Sequence, residues 1–172
     1  MLPRALEAAL EAHRRPGLFW KPLADLRRVR SLDTGEFLTW IGERPDGSLE
    51  LLRRAAGEEA LELLLNEVEV AGGISHPALA KVLWTARTGG EELTVAYRWR
   101  AEHTLAFPLD LRWLLRGFTS LCRAVHALHE QGWVHADLKP EAIAWGEAPD
   151  DLLLWDLRLA QRAGPRRFDA YS

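Results

Sequence analysis

Apolar residues recur along this chain in two rhythms that divide it into segments. From Pro3 to about Arg14, Leu6, Ala9, Leu10 and His13 fall at helical spacing until Pro16-Gly17 ends the pattern. From Leu26 to Arg54 the rhythm shortens, and the turn signals Asp33-Thr34-Gly35 and Pro45-Asp46-Gly47 predict a meander of about three strands. Helical spacing returns from Glu58 to about Gly72, with Leu61, Leu64, Leu65 and Val68 on one face. Two further strands are predicted near Lys81–Thr88 and Leu93–Trp99, joined by Gly89-Gly90. The longest regular stretch runs from about Leu109 to Glu130. There Leu111, Leu114, Leu115, Phe118, Leu121, Cys122, Val125 and Leu128 keep the three-and-four spacing, and Gly132 lies just past the end. After His135 a small hairpin is predicted, Ala142–Trp145 with Leu152–Trp155, around the turn-rich Gly146–Asp151. That order is α+β: a small sheet-plus-helix lobe ahead of a helical one.

Composition narrows the function classes. The 172 residues suit one domain, and 48% hydrophobic with 27% charged residues is a folding composition. Lys plus Arg is 22 against 25 for Asp plus Glu, a net charge of −3, so no overall basic field attracts nucleic acid or an anionic membrane. The single cysteine, Cys122, excludes an intrachain disulfide framework and a Cys-rich zinc site, and its place in the helical stripe predicts a buried, inert thiol. His126 and His129 lie three apart without a third ligand nearby, which favours surface or packing roles. The eight tryptophans read as core and lobe-interface fillers rather than an aromatic binding surface. No apolar run reaches the roughly 18 residues of a membrane span, and the first residues lack a signal-peptide core, so a cytoplasmic protein is expected. Only three lysines (Lys21, Lys81, Lys139) and one asparagine (Asn66) are present, so any role that needs either can be checked by inventory.

The segment after the long helix reads Trp133-Val134-His135-Ala136-Asp137-Leu138-Lys139-Pro140-Glu141-Ala142-Ile143. It resembles the catalytic loop of eukaryotic-like Ser/Thr protein kinases, H-R-D-L-K-P-E-N-I. Leu154-Trp155-Asp156-Leu157-Arg158 stands where that family has its D-F-G motif, and Ile74-Ser75-His76-Pro77 resembles the segment after its regulatory helix. The resemblance implies a protein-kinase-like two-lobed fold. Residues 1–25 would be an N-terminal helical extension, 26–100 the small lobe and 101–172 a partial large lobe, truncated after the activation-segment region. It also assigns roles: Asp137 and Lys139 as catalytic residues, vestigial if the protein is inactive, and Asp156 as a metal ligand. Gly35, Arg53, Glu67, Tyr97 and Trp99 would line the nucleotide site, with Glu67 as the ion-pairing glutamate and Tyr97 as gatekeeper.

The departures from that pattern concern phosphate and metal. Asp33 and Leu38 replace two glycines of a loop whose backbone amides approach phosphates in kinases, and Asp33 adds negative charge there. The strand Leu49-Glu50-Leu51-Leu52-Arg53-Arg54 has no lysine, and Arg53 is the residue placed to reach either a phosphate or Glu67. Ala142 replaces the metal-binding asparagine, Ala136 the arginine of H-R-D, and Arg158 a glycine that permits a backbone turn. Because these parts act as a unit in phosphoryl transfer, the expected function is a catalytically inactive, truncated pseudokinase acting as a regulatory or protein-binding module. No cofactor is expected. The alternatives are an atypical ATP-dependent phosphotransferase using Asp137, Asp156 and magnesium, and a remnant or fragment of a longer kinase. Missing large-lobe helices imply an apolar face for a protein partner or for self-association, with no nucleic acid and no membrane involved.

Overall fold

The computed structural model describes residues 23–33, 36–87, 92–100, 110–146, 148 and 150–164. The meander forms as the turn signals require: β1 (Arg27–Asp33), β2 (Leu38–Glu43) and β3 (Leu49–Ala56) pair in sequence, all antiparallel. Between β2 and β3, Arg44 N donates to Ser48 O at 2.9 Å and Gly47 takes the left-handed φ of 80° that the turn demands. Helix α1 (Glu58–Gly73) follows, with Glu58 and Glu59 in its first turn, where the helix dipole favours them. Strands β4 (Val82–Arg87) and β5 (Glu92–Trp99) complete a five-stranded sheet of order β1-β2-β3-β5-β4. The described residues form a mixed α+β fold built on this antiparallel sheet and two α-helices.

Two apolar layers sandwich the sheet. On the inner face, Leu61, Leu64, Leu65 and Val68 of α1 share one core with Leu51, Val95 and Tyr97 of the strands. Fully burying a leucine such as Leu51 or Leu64 stabilises by roughly 1.5–3 kcal/mol. On the outer face Trp40, Leu52, Trp84, Ala86 and Ala96 make a second, smaller cluster, against which Leu23 and Leu26 pack. Leu26 lies so close to Gly42 that a Cβ there would meet its side chain at 1.5 Å. Five tryptophans (Trp40, Trp84, Trp99, Trp133 and Trp155) are buried, as the filler reading expects.

Helix α2 (Leu111–Glu130) starts where Asp110 accepts a hydrogen bond from Arg112 N at 3.0 Å. It ends where Gly132, at φ 74°, donates to His129 O. Beyond it lie β6 (Trp133–Val134), a hairpin of β7 (Ile143–Trp145) and β8 (Leu152–Leu154), and β9 (Gln161–Arg162), which pairs with β6. The two halves are stitched together by a parallel bridge, Leu79 to Leu154, with Ala80 N donating to Leu154 O at 3.0 Å.

The α2 stripe corrects one expectation. Its buried residues are Gly117, Leu121, Ala124 and Leu128, whereas Leu111, Leu115 and Phe118 are 66%, 58% and 49% exposed. Cys122 is exposed too, not buried. The physical reason is angular: at 100° per residue, Leu111, Leu115, Phe118 and Cys122 share a face turned away from the Leu121–Leu128 seam. The apolar stripe is therefore wider than the surface it packs against. His126 and His129 are surface residues, and His126 lies 3.4 Å from Glu130. No helix among the described residues is long and apolar enough to cross a membrane. The expected Pro3–Arg14 helix, the Gly89-Gly90 turn and Gly35 lie outside the described residues.

Candidate functional site

Strand alternation sends Leu52 to the outer cluster and Arg53 to the inner face, beneath α1. There Arg53 is fully buried and its Nη1 contacts two carboxylates: it donates to Glu67 Oε2 from α1, and it lies 2.9 Å from Asp156 Oδ1, just after β8. Glu67 and Asp156 are themselves 1% and 6% exposed. The Phe37 ring closes one side of the guanidinium at 4.3 Å and Trp155 another at 5.4 Å. Cation–aromatic contacts of this kind gain strength when they are out of water. Arg158 approaches from the rim, with its Nε 3.5 Å from Asp156 Oδ1 and its Nη1 donating to Glu36.

The electrostatics follow from burial. Desolvation opposes the charge on Arg53, but the fields of Glu67 and then Asp156 outweigh it and hold its pKa above the ordinary value. Burial pushes the Glu67 carboxyl up, against the pull of Arg53. Tyr97, also buried, has its phenol pushed well up by desolvation and by the charge of Glu67. Its hydroxyl, like Arg53 Nε and Nη2, lacks a hydrogen-bond partner of ordinary geometry.

Helix α1 braces this arrangement from one side. Asn66 Nδ2 donates to Arg158 O and Ala160 O, both at 2.8 Å, and Leu157 N–H donates to the Glu67 carboxylate. The segment after Asp156 is thereby pinned as a 3-10 turn over Leu157–Leu159. Here the structure corrects the glycine expectation at Arg158. Asp156 itself takes the left-handed conformation (φ 61°, ψ 53°), and Arg158 is an ordinary member of the turn. The other non-glycine residue with positive φ among those described is Ala136, at 62°. Both lie in the two motifs that carried the resemblance, and each such conformation at a non-glycine residue must be held by its surroundings.

Asp137 and Lys139 stand apart from this cluster. Lys139 Nζ donates to Asp137 Oδ2 at 2.5 Å on a partly exposed loop, and that contact holds the aspartate below the usual carboxylate range. His135 lies between the two sets. Its Nε2 is 3.1 Å from Trp155 O and its Nδ1 3.4 Å from Asp137 N, so Nε2 carries the proton and Nδ1 accepts. Burial lowers its pKa.

Of the sequence-derived site residues, Arg53, Glu67, Tyr97 and Asp156 converge. Trp99 packs edge-on against Trp155 with ring centroids 5.5 Å apart, and Asp137 with Lys139 forms a separate pair. Arg53 reaches Glu67, one of the two partners open to it, together with Asp156. Three contributors escaped the sequence reading: Phe37, Trp155 as a wall of the site, and Asn66 as its brace. For Asn66 the signal was its position one residue before Glu67. Among the described residues, no group of three or more His, Cys, Asp or Glu is placed to hold a metal. Compared with known proteins, the chain matches no family model and no curated protein.

Proposed function

We propose that the chain is a degenerate protein-kinase-like domain that does not transfer phosphate and acts as a binding or regulatory module. Residues 26–100 would form the small lobe and 101–172 part of the large one. The observation that carries this reading is the state of Asp156. In an active site of the resembled family this carboxylate would hold magnesium. Here its Oδ1 faces Arg53 Nη1 at 2.9 Å and Arg158 Nε at 3.5 Å, beneath Phe37.

The residues present do not fit a magnesium nucleotide. A divalent ion beside Asp156 would sit against two guanidinium groups, and the cation that should reach phosphate is fully buried. Ala142, at the position of the second metal ligand, is buried and carries no donor atom. Asp137, the would-be base, is paired with Lys139. What remains for such a module is its surface. The exposed Leu111, Leu115 and Phe118 support a protein-facing role, because isolated soluble domains rarely present contiguous apolar faces.

Calorimetric titration with ATP, with and without magnesium or manganese, tests the reading. No saturable heat is expected at low-millimolar nucleotide, and no label transfer to the protein itself. A micromolar, metal-dependent dissociation constant, with transfer abolished by Asp137→Asn, would turn the assignment to an atypical phosphotransferase.

A further inference from the structure

The outer face of the sheet, opposite the Arg53 cluster, carries a groove of about 280 Å³ lined by Leu23, Leu26, Arg28, Leu38, Trp40 and Arg54. Its construction follows from register. Trp40 lies on β2. Arg28 of β1 pairs with Gly42 and Arg54 of β3 pairs with Leu38, so the two arginines flank the indole diagonally from the strands on either side. Both guanidinium carbons stand over the Trp40 ring, at 5.5 and 5.6 Å from its centroid. Leu26, seated on Gly42, and Leu38, half exposed, supply apolar walls.

Among the described residues, no carboxylate offsets the charge on this groove. Nearby arginines have carboxylates: Arg27 pairs with Glu43, and Arg44 with Glu50. Among the described residues no carboxylate pairs with Arg28 or Arg54, and Arg54 Nε donates to Thr94 Oγ1 at 3.2 Å. In a chain of net charge −3, two guanidiniums with no carboxylate partner among the described residues therefore line one small apolar-walled recess. Guanidinium forks match oxyanions bidentately, and two of them match a dianion better than a monoanion.

We infer that this groove binds a phosphate monoester with a small aromatic or apolar body, the phosphate lying between Arg28 and Arg54 and the body against Leu26 and Leu38. The site is independent of the inner-face cluster, so it stands whether or not the protein handles nucleotides there. Phenyl phosphate is the probe, titrated into the full chain by calorimetry and ligand-observed NMR, with benzoate and inorganic phosphate in parallel. Saturable binding of phenyl phosphate, tighter than either comparator, is expected. Arg28→Gln and Arg54→Gln should each weaken it about tenfold or more, and the double variant should abolish it. Arg28 is exposed, so Arg28→Gln should leave the thermal unfolding midpoint close to the parent's and keep the affinity comparison clean. No saturable binding of phenyl phosphate, or binding indifferent to both substitutions, would overturn the site and leave the arginines as covers for the indole. Benzoate binding more tightly than phenyl phosphate would overturn the phosphate assignment.

Discussion

Strand β3 buries a charged residue on each of its faces, and the two are held in opposite ways. On the outer face Glu50 accepts from Arg44 Nε and Nη2, both at 2.9 Å, and from Trp84 Nε1 at 2.9 Å. The Arg44 fork meets the Glu50 carboxylate in bidentate geometry, as a structural clasp requires. On the inner face one fully buried arginine faces two carboxylates, and Arg53 Nε and Nη2 make no hydrogen bond. The inner network leaves two nitrogens of Arg53 and the Tyr97 hydroxyl without a hydrogen bond, whereas both oxygens of Glu50 are engaged on the outer face. A partly satisfied buried network is also where a fold is most sensitive to single changes.

Substitutions can break or sharpen that contrast. The largest effect should come from Arg53→Met, which leaves Glu67 buried without its cation. A loss of about 3–5 kcal/mol is expected in urea denaturation, shrinking as pH falls and the stranded carboxyl takes up a proton. Next in size, Glu50→Gln removes the carboxylate that Arg44 and Trp84 both engage and should cost about 2–4 kcal/mol, whereas Glu67→Gln leaves Arg53 with Asp156 and should cost less, about 1 kcal/mol. Equal costs for Glu50→Gln and Glu67→Gln would erase the distinction between the faces.

A smaller effect is expected from His135, whose pKa is lowered by burial. A depressed pKa means the unfolded chain binds the proton more readily. Stability is then intact above the ordinary histidine value of about 6.5 and is lost as pH falls below it, by at most about 1.4 kcal/mol per pH unit. His76 is shifted the same way, by burial and then by Arg123, and shares that window. His135→Gln should flatten the slope between about pH 6.5 and 5 without removing it. A slope unchanged in this variant would place the proton uptake elsewhere. Least of all, Cys122 should react with a thiol reagent in the native protein with no measurable change in stability, since its side chain is exposed. Reaction only after denaturation would contradict the outward orientation of the α2 stripe.

The five-strand sheet, its helix, the long helix and the Ile143–Leu154 hairpin were legible in the sequence, because turn residues and the two apolar rhythms are local signals; the short strands β6 and β9 were not. Pro45-Asp46-Gly47, the Leu61–Val68 face and Gly132 each mark a boundary or a packing side without reference to distant residues. Burial along α2 was not legible. A stripe of apolar residues reports which face avoids water in principle, while the width of the seam depends on which β6 and β8 residues arrive opposite it. For the site, Glu67 and Asp156 were readable from motif order, and Arg53 as a possible partner. The stacking of Phe37 and Trp155 on its guanidinium was not, because Phe37 reaches it from another strand connection and Trp155 from a segment about a hundred residues away. Nor was the bracing role of Asn66, whose partners Arg158 and Ala160 lie 92 and 94 residues further along the chain.

A site closed by its own arginine can be interrogated at that arginine. Arginine side-chain NMR of the Arg53 guanidinium, assigned by comparison with Arg53→Lys, reads its environment directly. With Glu67 and Asp156 as partners and Phe37 above it, the Nη protons should be slow to exchange with water and unmoved by millimolar magnesium-ATP. Resonances that exchange rapidly in the free protein, or that shift saturably with magnesium-ATP, would contradict a closed and non-catalytic site.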